Sequence, residues 1–159
     1  MVKVLPRPEL LAALASEKRA RKRIVFTNGC FDLLHIGHVR YLQAARALGD
    51  VLVVGVNTDE SVRRLAKGPD RPIVSAAQRC EVLAALSCVD YVTPFDEPDP
   101  LHLITEIEPD VLVKGGDWKL DQIVGREVVL ARGGQVLAIP LVPDISTTTL
   151  IDRIRTPSV

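Results

Sequence analysis

The chain has 159 residues, 47% apolar and 25% charged, with 20 basic side chains balanced by 20 acidic ones. That length and balance fit one soluble globular domain with its own core. A formal net charge of zero disfavours a nucleic-acid partner, which would draw a basic excess, and no apolar run reaches the length of a membrane span.

The first segment, residues 1–23, has no apolar stretch ahead of a small-residue cleavage site, so no secretory signal is expected. Cys30, Cys80 and Cys88 are odd in number and lack metal-ligand spacing, and read as reduced thiols of a cytoplasmic protein. Leu10, Leu11 and Leu14 space a short amphipathic helix that runs into basic residues 18–23, a solvated helix end. Residues 1–23 are therefore expected to form an N-terminal helical extension ahead of a domain over 24–155.

From Ile24 the pattern is regular. Short runs at 24–26, 51–56, 91–92, 111–113 and 136–139 are rich in β-branched residues and do not alternate, as in parallel strands covered on both faces. Helical stretches at 39–48, 60–65, 76–86, 101–107, 122–131 and 148–154 lie between or after them. Gly49 and Gly133-Gly134 fit helix stops. Strand and helix alternate, so the expected fold is α/β, a doubly wound, mainly parallel five-stranded sheet. In such sheets the ligand lies beyond the carboxyl ends of the strands, so the residues just after each strand are the candidates for a site.

The first strand leads into Thr27-Asn28-Gly29-Cys30-Phe31-Asp32, then His35-Ile36-Gly37-His38. Gly29 permits a tight turn. Gly37 stands where the next helix starts, and a side chain there would block a phosphate approaching the free N–H groups. His35 and His38, three residues apart, can face one side of that turn and donate hydrogen bonds to phosphate oxygens as charge builds. A dinucleotide-binding oxidoreductase would need G-x-G-x-x-G at this place, which is absent.

This segment resembles the signature of the HxGH nucleotidyltransferase superfamily, and the resemblance runs from about Ile24 to Arg155. Further segments carry it. Asn57-Thr58-Asp59 leads into a basic loop with Lys67 and Arg71, which without the family is an ordinary exposed loop. Ser75 fits a helix N-cap, and Arg79 fits a structural ion pair. Lys114-Gly115-Gly116-Asp117-Trp118 follows a strand, with Trp118 either near a base or a plug over the core. Ser146-Thr147-Thr148-Thr149 opens the last helix, where hydroxyls and unpaired N–H groups suit triphosphate oxygens.

The resemblance implies a Rossmann-like nucleotidyltransferase fold with His35, His38 and Lys67 as catalytic residues. It places the nucleotide on Asn28, Gly29, Cys30, Phe31, Gly37, Lys114, Gly115, Asp117, Ser146, Thr147 and Thr148. It places the acceptor on Asp32, Asn57, Asp59 and Arg71. Mg²⁺ would arrive with ATP, since the sequence offers no carboxylate cage and no residue is assigned to a metal. Within the family, KGGD and the loop ending in KGPDRP resemble the heptose-phosphate adenylyltransferase branch. That branch implies AMP transfer from ATP to a heptose 1-phosphate and a homodimer; in many bacteria its domain is fused to a sugar kinase, and this chain resembles the stand-alone form, which implies the kinase on another polypeptide. The alternative is a cytidylyltransferase making a CDP-alcohol such as CDP-glycerol, which Trp118 favours. Val142-Pro143-Asp144, without an arginine, argues against it. A binding module without turnover would have lost a histidine or the hydroxyl run, and both are present.

Overall fold

The computed structural model describes residues 3–116 and 118–156. Its five strands are β1 (Ile24–Gly29), β2 (Val51–Asn57), β3 (Tyr91–Phe95), β4 (Val111–Gly115) and β5 (Gln135–Ile139). All pair in parallel, in the order β3-β2-β1-β4-β5. The helices are α1 (Arg7–Arg19), α2 (Ile36–Arg46), α3 (Asp59–Arg64), α4 (Ala76–Ala84), α5 (Leu101–Ile107), α6 (Arg126–Ala131) and α7 (Thr147–Arg155).

The strand runs are continuous because both faces of the sheet are covered. Successive side chains point to opposite faces. Ile24, Phe26, Val51 and Val53 join Leu10, Leu14, Leu103, Ile104 and Ile107 in one cluster, under α1 and α5. Val25, Leu52 and Val54 join Tyr41, Leu42, Ala45 and Leu83 in the other, under α2 and α4. Each aliphatic side chain so buried contributes about 1.5–3 kcal/mol. None of the helices among the described residues is long and apolar enough to cross a membrane.

Three sequence expectations change in detail. Helix α1 is covered by the domain core rather than extending from it, with Leu10 and Leu14 almost wholly enclosed and Val4 bridging to Val92. The helix expected over 122–131 is split into a 3-10 turn at Leu120–Gln122 and α6, because Gly125 sits between them at φ +86. A side chain at Gly125 would meet Ile104 at 2.6 Å. Ser75 occupies the N-cap position of α4 but makes no capping bond; the Asp59 carboxylate accepts from Ala76 N at 2.8 Å instead. Gly133 does stop α6, at φ +78.

Candidate active site

The strand order reverses direction between β1 and β4, and a crevice opens there at the carboxyl ends. A cleft of about 540 Å³ fills it. A second cleft of about 560 Å³ lies at the opposite end of the strands, against Arg23, Asp110 and Gln135, and includes none of the expected site residues.

The floor of the first cleft is stitched together by Tyr41. Its hydroxyl pairs with Thr27 Oγ1 and donates to Val113 O at 3.2 Å, joining β1, α2 and β4. Burial pushes its pKa up to about 12, so it stays a neutral phenol. Above the floor the chain turns at Phe31, whose φ of +50 is unusual for a bulky residue. The Phe31 ring then meets the His38 ring edge-on, centroids 5.4 Å apart.

His35 is the N-cap of α2: its Nδ1 accepts from Gly37 N at 3.1 Å. That bond leaves the ring's proton on Nε2. The two imidazoles stack with centroids 3.9 Å apart and planes 27° from parallel. Burial lowers both pKa values, and that of His38 reaches about 4 with help from His35 and Lys67. Both rings are therefore neutral hydrogen-bond donors at neutral pH. Gly37 leaves no room for a side chain, since a Cβ would lie 2.9 Å from the His35 ring.

Cations face this pair. Lys114, at the end of β4, donates to Asn28 Oδ1 at 3.3 Å and lies 5.8 Å from the Trp118 ring centroid. Burial lowers its pKa, Cys30 opposes that shift, and Lys67 adds to it. Lys67 reaches the same cleft from the exposed loop after α3. On the far wall α7 begins with Ser146, whose Oγ accepts from Thr149 N at 3.0 Å. Thr147 Oγ1 donates to Leu33 O at 3.3 Å, tying α7 to the turn after β1.

The cleft gathers most of the expected residues. From the β1 turn and α2 come Asn28, Gly29, Cys30, Phe31, Asp32, His35, Gly37 and His38. Lys67 and Arg71 come from the loop, Lys114 and Gly115 from β4, and Ser146, Thr147 and Thr148 from α7. Asp117 lies outside the described residues.

Two expected residues stand elsewhere. The Asn57 side chain is buried, donates to Ser61 Oγ at 2.8 Å and accepts the Cys30 thiol at 3.8 Å. Asp59 pairs with Arg79 at 2.8 Å, and that guanidinium, 1% exposed, also donates to the carbonyls of Val74 and Cys30. Both groups act within the chain, and the ion pair expected of Arg79 is present. Trp118 is 48% exposed and is no plug over the core.

Tyr41, Leu141, Val142 and Ile145 also line the cleft, and none of them was expected there from the sequence. Tyr41 had a signal: it stands three residues beyond His38 on one helix face.

The profile of the Cytidylyltransferase-like family matches residues 26–153. Bifunctional protein HldE of Geotalea uraniireducens is 56% identical over 150 residues, covering 94% of this chain and 30% of that protein. Its counterpart in Syntrophotalea carbinolica is 55% identical over 152 residues, covering 96% and 31%. The chain thus spans about 30% of the length of these curated relatives. Among solved structures, the lipopolysaccharide core biosynthesis protein of Thermoplasma volcanium superposes with a TM-score of 0.63 at 30% identity, covering 76% of this chain and 97% of that one. The profile covers the histidine turn, the cation-rimmed cleft and the final helix alike, and the chain belongs to the Cytidylyltransferase-like family and is a nucleotidyltransferase.

Proposed function

We propose that the chain transfers AMP from ATP to D-glycero-β-D-manno-heptose 1-phosphate, forming ADP-heptose and releasing pyrophosphate. The observation that carries the chemistry is the stacked pair of neutral imidazoles at the start of α2, facing two lysines across one cleft. An oxygen of the acceptor phosphate bonds to the α-phosphorus while the bond from that phosphorus to the β-bridging oxygen breaks. Pyrophosphate leaves with the electron pair. The nucleophile is already an anion, so no base is required. Rate comes from positioning and from donors aimed at the pentavalent centre. His35 and His38 supply those donors, Lys67 and Lys114 neutralise phosphate charge, and residues 146–148 receive the triphosphate at the N-terminus of α7.

Similarity to a lipopolysaccharide core biosynthesis protein and the turn Lys114-Gly115-Gly116 support the heptose acceptor. The absence of an arginine in Val142-Pro143-Asp144 supports ATP over CTP. Among the described residues no three His, Cys, Asp or Glu side chains stand together as metal ligands. Mg²⁺ would arrive with the triphosphate, where it would offset phosphate charge alongside Lys67 and Lys114. A cytoplasmic homodimer, acting after a sugar kinase activity that supplies its acceptor, completes the reading. The test is pyrophosphate release with ATP or CTP against heptose 1-phosphate or glycerol 3-phosphate. Faster turnover of CTP with glycerol 3-phosphate overturns the heptose assignment and leaves the nucleotidyltransferase standing.

A further inference from the structure

Phe31 stands at φ +50, a left-handed conformation that a bulky side chain adopts only where its surroundings impose it. Its neighbours on both sides are pinned. The Arg79 guanidinium, itself almost wholly buried, donates to Cys30 O at 2.5 Å. The Asp32 carboxylate accepts from Ile73 N and Val74 N, each at 2.9 Å, and pairs with Arg71. Gly29 makes room for the ring, since a Cβ there would lie 3.0 Å from Phe31 Cε2. The buried ring is thereby held edge-on against His38.

The two nitrogens of His38 differ. Nδ1 is sealed from solvent and has no hydrogen-bond partner among the described residues. Nε2 is not sealed, in a ring that lines the cleft. A proton on Nδ1 would be a buried N–H without an acceptor, whereas a proton on Nε2 can meet water or a phosphate oxygen. The neutral ring is therefore the Nε2–H tautomer. A second proton would have to go to Nδ1, where it finds no acceptor. The charged or titratable groups around the cleft are His35 on the same helix, Lys67 and Arg71 on the loop, Lys114 at the end of β4, and Cys30 and Asp32 on the turn. Asp32 is the one carboxylate there among the described residues, and Arg71 already holds it.

We propose that Phe31 is a positioning residue: its ring, fixed by the pinned turn, shuts water away from His38 Nδ1 and keeps the imidazole a neutral donor through Nε2. The proposal rests on the reading of His38 as a donor to the reacting phosphate. A dry Nδ1 denies the imidazolium its solvation, and the ring contact limits rotation of the imidazole. The unfavourable backbone at residue 31 is the cost of bringing the ring to that place.

The experiment follows the three histidines of the full chain by nitrogen-15 NMR across pH, with His38 assigned from its loss in His38→Gln. In wild type the His38 shifts are expected to report the Nε2–H tautomer and a midpoint of about 4. In Phe31→Ala water reaches Nδ1, and the midpoint is expected to rise by about one pH unit or more toward the ordinary imidazole value. Phe31→Leu, which keeps an apolar cover, is expected to stay near wild type. Pyrophosphate release supplies a second readout. At about pH 8 the kcat of Phe31→Ala is expected to fall about tenfold while KM for ATP moves less than threefold. Dividing by the wild-type kcat cancels the titration of the acceptor phosphate, and that ratio is expected to bend at the midpoint that NMR reads. A folded Phe31→Ala whose His38 midpoint matches wild type overturns the proposal, as does a wild-type Nδ1–H tautomer. A ratio that stays flat across a raised midpoint overturns it as well. Should Phe31→Ala fail to fold, Gly29→Ala decides, since its Cβ displaces the ring and leaves residue 31 intact. An unmoved His38 midpoint in that variant also overturns the proposal. The NMR readout uses no substrate, so a failed acceptor assignment leaves it decisive.

Discussion

Replacing Gly37 with alanine separates the site's geometry from the fold's stability. A Cβ at position 37 would lie 2.9 Å from both Cε1 and Nδ1 of the His35 ring. Ordinary contact begins about half an ångström farther out, so the ring must tilt or retreat by that much. The ring cannot move alone, because it accepts from Gly37 N and stacks on His38 at 3.9 Å. Misplacing a catalytic group by about 1 Å costs on the order of a hundredfold, so half that displacement predicts a turnover loss of roughly ten- to a hundredfold. Stability moves little. Alanine gains up to about 1 kcal/mol over glycine inside a helix, and weakening the cap costs about 0.5–2 kcal/mol. Pyrophosphate release at saturating ATP and acceptor reads the first effect, and a thermal melt reads the second, with Tm expected within about 4 °C of wild type. Turnover within threefold of wild type refutes the claim that His35 must sit where the backbone of Gly37 holds it.

The partly buried histidines make stability depend on pH in a definite direction. His38 is held at about 4 in the fold against 6.5 for an unperturbed imidazole, so the unfolded chain binds more protons between those values. Stability is therefore complete above the upper value and falls as pH drops toward the lower one; His38→Gln should flatten the Tm profile in the upper half of that window, and an unchanged slope counts against the assignment. Asp59→Ala strands Arg79, which is 1% exposed, and should cost about 3 kcal/mol in urea unfolding, with a loss under about 1 kcal/mol contradicting it. Gly125→Ala meets Ile104 at 2.6 Å at a positive φ and should cost more than about 2 kcal/mol, whereas Gly133→Ala meets open space and should cost about 1 kcal/mol. Equal losses in the two would mean that the Ile104 contact relaxes freely.

The strands were legible because each is a short β-branched run, and β2, buried at every position, is the clearest of them. The helix over 122–131 was not, since its interruption at Gly125 depends on Ile104, twenty-one positions away and on another element. In the site, residues directly after β1 and β4 could be read because parallel sheets put ligands there. Asn57 and Asp59 also follow a strand, yet they turn inward to hold Ser61 and Arg79, and spacing alone carries no sign of that direction. Leu141 and Val142 were legible in principle as the residues after β5. Ile145 reaches the cleft beside Gly37 at the start of α2, a meeting across 108 positions that spacing does not carry.

The seam between β1 and β4 bears on the order of folding. β1 and β2 align at six register positions, and their partners are 27 residues apart in sequence. β1 and β4 align at two, across 86 residues. Closing the longer loop costs about 1 kcal/mol more entropy, with fewer paired residues to offset it. The histidine wall belongs to one side of this seam and Lys114 to the other, so catalytic competence should be gained last on refolding and be lost first as the sheet begins to part.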